Sequence, residues 1–164
     1  MSSYDFRSGI GRLLLVPGPD GTTVRTVAEP PVSALFGAPV ETNILLDAAD
    51  DLDRADLPLI ASVLGCLDQH LEAGLDFVRA ALAADPAFFG LATAPASVEL
   101  DSPQLNFYAD DEWHLRFAEG NLPICDPYGL AVVFHGQRPM RVEDLSDATA
   151  LDDGEWDVSV RSSP

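Results

Sequence analysis

Lysine is absent from this sequence of 164 residues, and its nine basic side chains are all arginines that occur singly along the chain. Nucleic acids bind proteins that concentrate Lys and Arg, because these side chains displace the counterions condensed on the phosphates. Anionic membrane surfaces attract clustered basic residues in a similar way. The scarcity and scatter of basic residues therefore argue against nucleic acid or an anionic membrane as a partner.

Cysteine and long apolar runs are also scarce. Cys66 and Cys125 are the only cysteines, too few for a disulfide framework, and we expect both to be reduced thiols. No apolar stretch approaches the ~20 residues of a membrane-spanning helix. Residues 1–10 lack the basic region and apolar run of a secretory leader. We therefore expect a cytoplasmic protein.

Acidic residues, by contrast, dominate the charge. The 27 Asp and Glu residues give a formal net charge of −18 at pH 7, which favours solubility and attracts basic partners over long distances. The alternative is that this acidity only solvates the surface. The predicted partner-binding residues lie in or beside the two densest acidic segments: Asp110, Asp111, Glu112, His114, Asp50 and Asp51.

Residues 57–84 show the clearest periodicity in the chain. Their apolar side chains recur every three or four residues, which is typical of one face of a helix. The acidic residues that precede this segment favour a helix start, and Pro86 favours its end. We predict one long amphipathic helix over about 56–85, bent or broken where Gly65 or Gly74 weakens it.

Short strands are predicted on both sides of this helix, over about 10–46 and about 98–161. The second region contains a hairpin pattern, in which apolar and polar residues alternate across 104–117 around a central Asp-Asp turn. We predict a single domain over 1–164 with an α+β fold, in which a mainly antiparallel sheet packs against the helix. The expected core includes Leu64, Leu67, Leu71, Val78, Phe107, Leu115, Phe117, Val132 and Phe134.

Catalytic and metal-binding motifs are missing. The sequence contains no Cys-x-x-Cys, His-x-His or His-Glu-x-x-His pattern and no Gly-x-Ser-x-Gly elbow. His114, His135 and Glu112 would provide metal or acid-base groups only if strand register brought them onto one face. The anionic Asp126 beside Cys125 disfavours a reactive thiolate. We therefore expect no catalytic residue, no bound metal and no cofactor.

A family resemblance comes from residues 112–147, which read EWHLRFAEGNLPICDPYGLAVVFHGQRPMRVEDLSD. This segment resembles uncharacterised bacterial proteins, chiefly actinobacterial, which we associate with small acidic immunity proteins of polymorphic toxin systems. The resemblance implies a cytoplasmic α+β protein that binds and neutralises a toxin. It assigns no catalytic residue to this chain.

Three functions are compatible with these observations. The leading hypothesis is a non-enzymatic acidic protein-binding module, specifically an immunity-like inhibitor of a basic toxin. The first alternative is a small-molecule-binding or enzymatic domain that uses the face of His114 and His135. The second is a DNA mimic, for which Asp68, Glu72 and Asp76 would provide carboxylates at helical spacing. A protein inhibitor needs a broad acidic surface, whereas an enzyme needs a concave pocket with convergent polar groups.

Overall fold

A large twisted sheet organises the chain in the computed structural model, which describes residues 4–7, 9–18, 21–47, 52–147 and 161–162. The strands are β1 (Tyr4–Arg7), β2 (Gly11–Pro17), β3 (Thr22–Val27), β4 (Val32–Ser33), β5 (Ala38–Pro39), β6 (Glu41–Asp47), β7 (Leu100–Phe107), β8 (Glu112–Gly120), β9 (Leu130–His135), β10 (Arg138–Asp144) and β11 (Arg161–Ser162). Nine of them form one sheet in the order β1-β2-β3-β6-β7-β8-β9-β10-β11, and β4 pairs with β5 separately. The predicted α+β fold with a mainly antiparallel sheet is confirmed.

One pair of neighbouring strands in the large sheet is parallel. β6 and β7 run in the same direction, with Glu41 opposite Gln104 and Ile44 opposite Phe107, while the other neighbouring strands described in this sheet pair in antiparallel fashion. Parallel neighbours require a long crossover connection. That connection carries the helices, so it joins the N-terminal and C-terminal strands into one sheet.

The helical segment consists of two consecutive helices, α1 (Leu57–Gly65) and α2 (Leu67–Ala84), so the long helix predicted over about 56–85 is broken next to Gly65, one of the two positions expected to weaken it. The side chain of Asp56 caps α1 by accepting a hydrogen bond from the Leu59 amide at 3.0 Å. Gly65 ends α1, and the break falls at Cys66. Gly74 lies inside α2 without interrupting it. A Cβ at that position would lie 2.5 Å from a methyl group of Leu115, so glycine permits close helix–sheet contact there.

The core lies between the helices and one face of the sheet. Alternation along β8 places Trp113, Leu115 and Phe117 on this face, and all three are fully buried. Trp113 stacks on Phe134 with a centroid distance of 4.1 Å, and His70 of α2 packs edge-on against Trp113. Burial of each large apolar side chain contributes roughly 1.5–3 kcal/mol. Of the predicted core residues, Leu64 is half-buried and the others are buried: Leu67, Leu71, Val78, Phe107, Leu115, Phe117, Val132 and Phe134.

The edges of the sheet differ from the sequence prediction. β1 lies in the first ten residues, for which no strand is predicted, and pairs with β2. The predicted edge strand that ends near residue 161 lies largely outside the described residues, although β11 pairs with β10.

None of the helices described here is long and apolar enough to cross a membrane.

Candidate functional site

The hairpin of β7 and β8 carries acidic side chains at both of its ends. At the turn end, residues 108–111 connect the strands and include two of the predicted partner-binding residues. At the open end, Asp101 of β7 lies directly opposite Glu119 of β8. An extended chain rises about 3.3 Å per residue, so the two ends are roughly 25–30 Å apart. The two ends differ in how their charges are compensated.

At the turn end, the acidic residues contact other groups of the same chain. Asp110 is exposed and adopts a positive φ of 69°, and its amide donates to the Arg54 carbonyl at 3.0 Å. A carboxylate oxygen of Asp111 lies 3.2 Å from Nε2 of His135. The other predicted acidic residues, Asp50 and Asp51, lie outside the described residues.

Glu112 belongs to a polar cluster on the sheet face opposite the helices. One carboxylate oxygen of Glu112 lies 3.6 Å from Nε2 of His114 and 3.6 Å from a guanidinium nitrogen of Arg141. Arg141 also donates to Glu143, at 2.9 and 3.2 Å. Glu143 is only 3% exposed. With Tyr108, these residues form the polar cluster: Tyr108, Glu112, His114, Arg141 and Glu143.

Burial determines the protonation of the polar cluster. His114 is 7% exposed, and desolvation lowers its pKa although Glu143 and Glu112 oppose the shift. The ring of Tyr108 packs edge-on against His114, with a centroid distance of 4.8 Å. Its buried hydroxyl has no hydrogen-bond partner in the described part of the chain. Desolvation raises the pKa of Tyr108, followed by the charges of Glu143 and Glu112. Both His114 and Tyr108 are therefore neutral near pH 7.

The two histidines considered as a pair do not share a binding site. His114 faces Glu112, whereas His135 faces Asp111. Among residues 4–147 and 161–162, where described, no group of three or more His, Cys, Asp and Glu side chains is placed to hold a metal ion. Burial raises the pKa of the Cys125 thiol, which disfavours the nucleophilic thiolate. The geometry thus offers limited means for metal or thiol chemistry.

At the open end, the acidic charge is not balanced in this way. Asp101 and Glu119 are both exposed, and like charges directly opposite each other across strands are destabilising. In the part of the chain that the structure describes, neither carboxylate has an ion-pair partner. Sequence reasoning missed this pair. The alternation that places Leu105 opposite Leu115 would have revealed it if the register had been extended to the strand ends.

A cleft beside the open end arises from the mismatch between two strands. β6 begins opposite Gln104, so residues 100–103 of β7 extend past its first residue, and no described strand lies on that side of them. The hairpin of β4 and β5 closes the gap and leaves a cleft of about 300 Å³. We call this the hairpin cleft. Its lining includes Phe36, Pro39, Glu41, Asp101, Pro103 and Ala118.

Polar and aromatic contacts hold the β4–β5 hairpin in position. The carboxylate of Asp68, on α2, accepts hydrogen bonds from the Ser33 hydroxyl at 2.5 Å and the Ala34 amide at 3.0 Å. The Ser33 hydrogen bond is the main reason that the pKa of Asp68 lies below its ordinary value. Phe36 packs against Phe117 with a centroid distance of 6.1 Å. One wall of the hairpin cleft is therefore anchored to the helix and the sheet.

The cation near this cleft is committed to its own neighbours. Arg116 is buried, and its guanidinium donates to the side chain of Gln104 at 3.1 Å and to the backbone carbonyl of Tyr128. Desolvation lowers the pKa of Arg116 to about 10, and the charge of Glu41 opposes the shift. Arg116 therefore stays charged at pH 7 and offsets part of the charge of Glu41.

Comparison with known proteins adds no constraint on function: no protein-family model, curated protein or solved structure matches this chain. The candidate sites must therefore be evaluated from their own geometry. Two remain, the polar cluster on one sheet face and the hairpin cleft with the adjoining Asp101–Glu119 pair.

Proposed function

We propose that the protein is a non-enzymatic, acidic protein-binding module that acts in the cytoplasm and neutralises a basic partner, as an immunity-like inhibitor neutralises a toxin. The observation that carries this proposal is the cross-strand pair of Asp101 and Glu119, two exposed carboxylates without an ion-pair partner among the described residues. A bound cationic surface would relieve their mutual repulsion. The net charge of −18 supports the same kind of partner.

Electrostatic attraction of this kind acts mainly on the rate of association. Complementary charges at an interface rim steer the partners during diffusion and raise the association rate more than they tighten the final complex. The predicted residues of the turn end contribute to the same long-range field, and exposed Asp110 contributes most directly. Asp111 and Glu112 contribute less, since each lies beside a group that can carry positive charge.

The test is the association rate with any basic protein that a neighbouring gene encodes, measured by stopped-flow fluorescence at several salt concentrations. Raising salt from 0.1 M to 1 M shortens the Debye length from ~10 Å to ~3 Å, so we expect association to slow sharply. At low salt, the triple variant Asp110→Asn, Asp111→Asn, Glu112→Gln should associate with the partner more slowly than the native protein. A rate indifferent to both salt and substitution would contradict the proposal and favour an apolar interface.

The polar cluster supports a second candidate function, a small-molecule site on the His114 face. The specific observation in its favour is the buried hydroxyl of Tyr108, which lacks a described hydrogen-bond partner beside a neutral histidine. A ligand that accepts a hydrogen bond would satisfy this group. Under this alternative, a ligand found by thermal-shift screening would stabilise the native protein and lose most of its effect in Tyr108→Phe. Equal stabilisation of both proteins would reject the site.

The DNA-mimic alternative has less support. Its three candidate carboxylates on α2 are not equally available, because Asp68 binds the β4–β5 hairpin and Asp76 accepts a hydrogen bond from Arg79 at 2.9 Å. Glu72 remains as the exposed carboxylate between them. A mimic of a phosphate backbone needs a longer regular row of available charges, so we do not propose this function.

A further inference from the structure

We propose that the hairpin cleft is the docking site for an extended basic segment of the partner protein, with one Arg side chain inserted into the cleft. This inference rests on the proposed function and identifies where, and by what chemistry, the partner is recognised. In this arrangement the aliphatic part of the Arg side chain covers Pro39 and Pro103, and the guanidinium faces the carboxylates of Glu41 and Asp101. All four of these residues line the cleft.

The first argument is the combination of apolar walls with an acidic rim. Phe36, Pro39 and Pro103 contribute apolar surface to the lining. Glu41 and Asp101 belong to the same lining and are both exposed. Arg and Lys side chains bury an apolar stem while they keep the charged head near polar groups. A cleft of this composition therefore matches a long cationic side chain better than an apolar or an acidic one.

The second argument is the exposed apolar surface beside the cleft. Val32 is 68% exposed and Leu35 is 49% exposed, both in or beside the β4–β5 hairpin. Val32 lies directly opposite Pro39 in that hairpin, so the exposed surface continues into the cleft wall. A single small cation would leave these side chains uncovered. A polypeptide segment with apolar residues next to its arginine would cover both features.

The third argument concerns the mode of recognition. The edge of β7 that no described strand covers is poorly suited to accept an added strand, because Pro103 has no amide hydrogen. The amide of Ser102 already donates to the carboxylate of Asp101 at 2.7 Å. Recognition at this edge must therefore depend on side chains of the partner rather than on a continuous backbone ladder.

Charge also excludes the simplest alternative occupant, a second copy of this chain. Each copy carries a net charge of −18, and the rim adds Glu41, Asp101 and the adjoining Glu119 at the contact. Like charges that meet across an interface disfavour association strongly. Arg116 offsets only part of this local charge, because it provides one positive charge beside three carboxylates. Charge complementarity thus selects a basic partner segment.

The test uses a defined probe, the peptide acetyl-Gly-Leu-Arg-Leu-Gly-amide, titrated into the ¹⁵N-labelled full chain and followed by two-dimensional NMR. A matched peptide carries citrulline, which keeps the shape of arginine but removes its charge. We expect saturable shifts of the amides of Ala38, Gln104 and Ala118 with the arginine peptide. Exposed charge pairs contribute modestly, so the citrulline peptide should bind up to about fivefold more weakly.

Two variants separate the cleft from general acidity. The double variant Asp101→Asn, Glu119→Gln should weaken binding of the arginine peptide by up to about fivefold, the same limit as loss of the arginine charge, since one carboxylate of the cleft and one beside it are lost. The control Asp53→Asn removes an exposed carboxylate that lies at the far end of the sheet, near the turn end, and should bind normally. All three substitutions are at exposed positions, so the unchanged dispersion of the NMR spectra would show that the fold is intact.

The outcomes distinguish this inference from the proposed function. Shifts confined to the turn end, or equal effects of the double variant and the Asp53 control, would overturn the hairpin cleft as the docking site while leaving an acidic binding module intact. No saturable binding of the arginine peptide would also overturn the cleft. Failure of the proposed function itself is judged separately, by salt-independent association with the whole basic partner.

Discussion

Replacement of Gly129 by alanine tests the tight passage of the chain into β9. Gly129 has a φ of +82°, which lies in the left-handed backbone region that residues with a Cβ rarely adopt. A Cβ built there would lie 1.9 Å from the carbonyl oxygen of Phe117 and 2.8 Å from the Cα of Ala118. Both contacts are backbone atoms of β8, which pairs with β9. They cannot move away without disturbing that pairing.

Gly136 provides a matched control in the next turn. Its φ is +61°, but a Cβ built there meets no atom within 4 Å. Alanine at either position destabilises the protein by about 1–2 kcal/mol, because its Cβ disfavours the left-handed backbone conformation. Only Gly129→Ala also introduces overpacking, which costs about 1–3 kcal/mol. We therefore expect the free energy of unfolding to fall by about 2–5 kcal/mol for Gly129→Ala and by about 1–2 kcal/mol for Gly136→Ala.

The assay is urea denaturation followed by tryptophan fluorescence, which reports on the fully buried Trp113. With a slope of about 2 kcal/mol per molar urea, the midpoint should fall by about 1–2.5 M for Gly129→Ala and by about 0.5–1 M for Gly136→Ala. If Gly129→Ala does not accumulate as a folded protein, the Gly136 variant must still fold. Equal losses in the two variants would refute the close approach and leave backbone conformation as the only effect.

Four further predictions concern the candidate sites. Tyr108→Phe removes a buried hydroxyl without a described hydrogen-bond partner and should raise the free energy of unfolding by about 1 kcal/mol in urea denaturation. A lower free energy of unfolding in the variant would indicate that the hydroxyl has a partner outside the described residues. Because burial lowers the pKa of His114, the unfolded chain binds its proton more tightly, so stability should decrease as pH falls below about 6.5. In thermal melts across this pH range, the melting temperature of His114→Gln should fall less steeply with falling pH than that of the native protein. An equal pH dependence of the two proteins would contradict the assignment of this effect to His114. Glu119→Gln relieves the like-charge pair with Asp101 and should stabilise the protein by about 0.2–1 kcal/mol, an effect that high salt should diminish. Elemental analysis of the purified protein should find no stoichiometric zinc or other transition metal, and about one ion per chain would contradict this expectation.

Local patterns made much of the fold predictable. The apolar periodicity of 57–84 identified the helical face, and the burial of Leu67 and Leu71 shows that its register was correct. The alternation within 104–117 identified the hairpin of β7 and β8. The division of the helix at Cys66 was harder to predict, because Gly65 and Gly74 carry the same local signal. Packing against Leu115 explains why Gly74 remains inside α2.

The candidate sites were less predictable than the elements that hold them. The sequence drew attention to the acidic run of 110–112, but it did not show that Glu112 lies beside Arg141, which is distant in sequence. The pair of Asp101 and Glu119 was overlooked because neither residue belongs to a dense acidic segment. Exposed charges become a candidate site only when strand pairing brings them together and leaves them without a compensating cation.

Composition and local pattern are sufficient to predict the acidic character, the α+β composition and the main buried faces, because charge is a sum over residues and periodicity is a local property. The parallel arrangement of β6 and β7, and the offset between them that opens the hairpin cleft, follow instead from long-range packing. Long-range packing also decided which carboxylates meet cations of the same chain and which meet each other. These features depend on contacts between segments that lie up to about 80 residues apart in the sequence. Such contacts form because they bury the apolar faces of whole elements, and no local pattern specifies them.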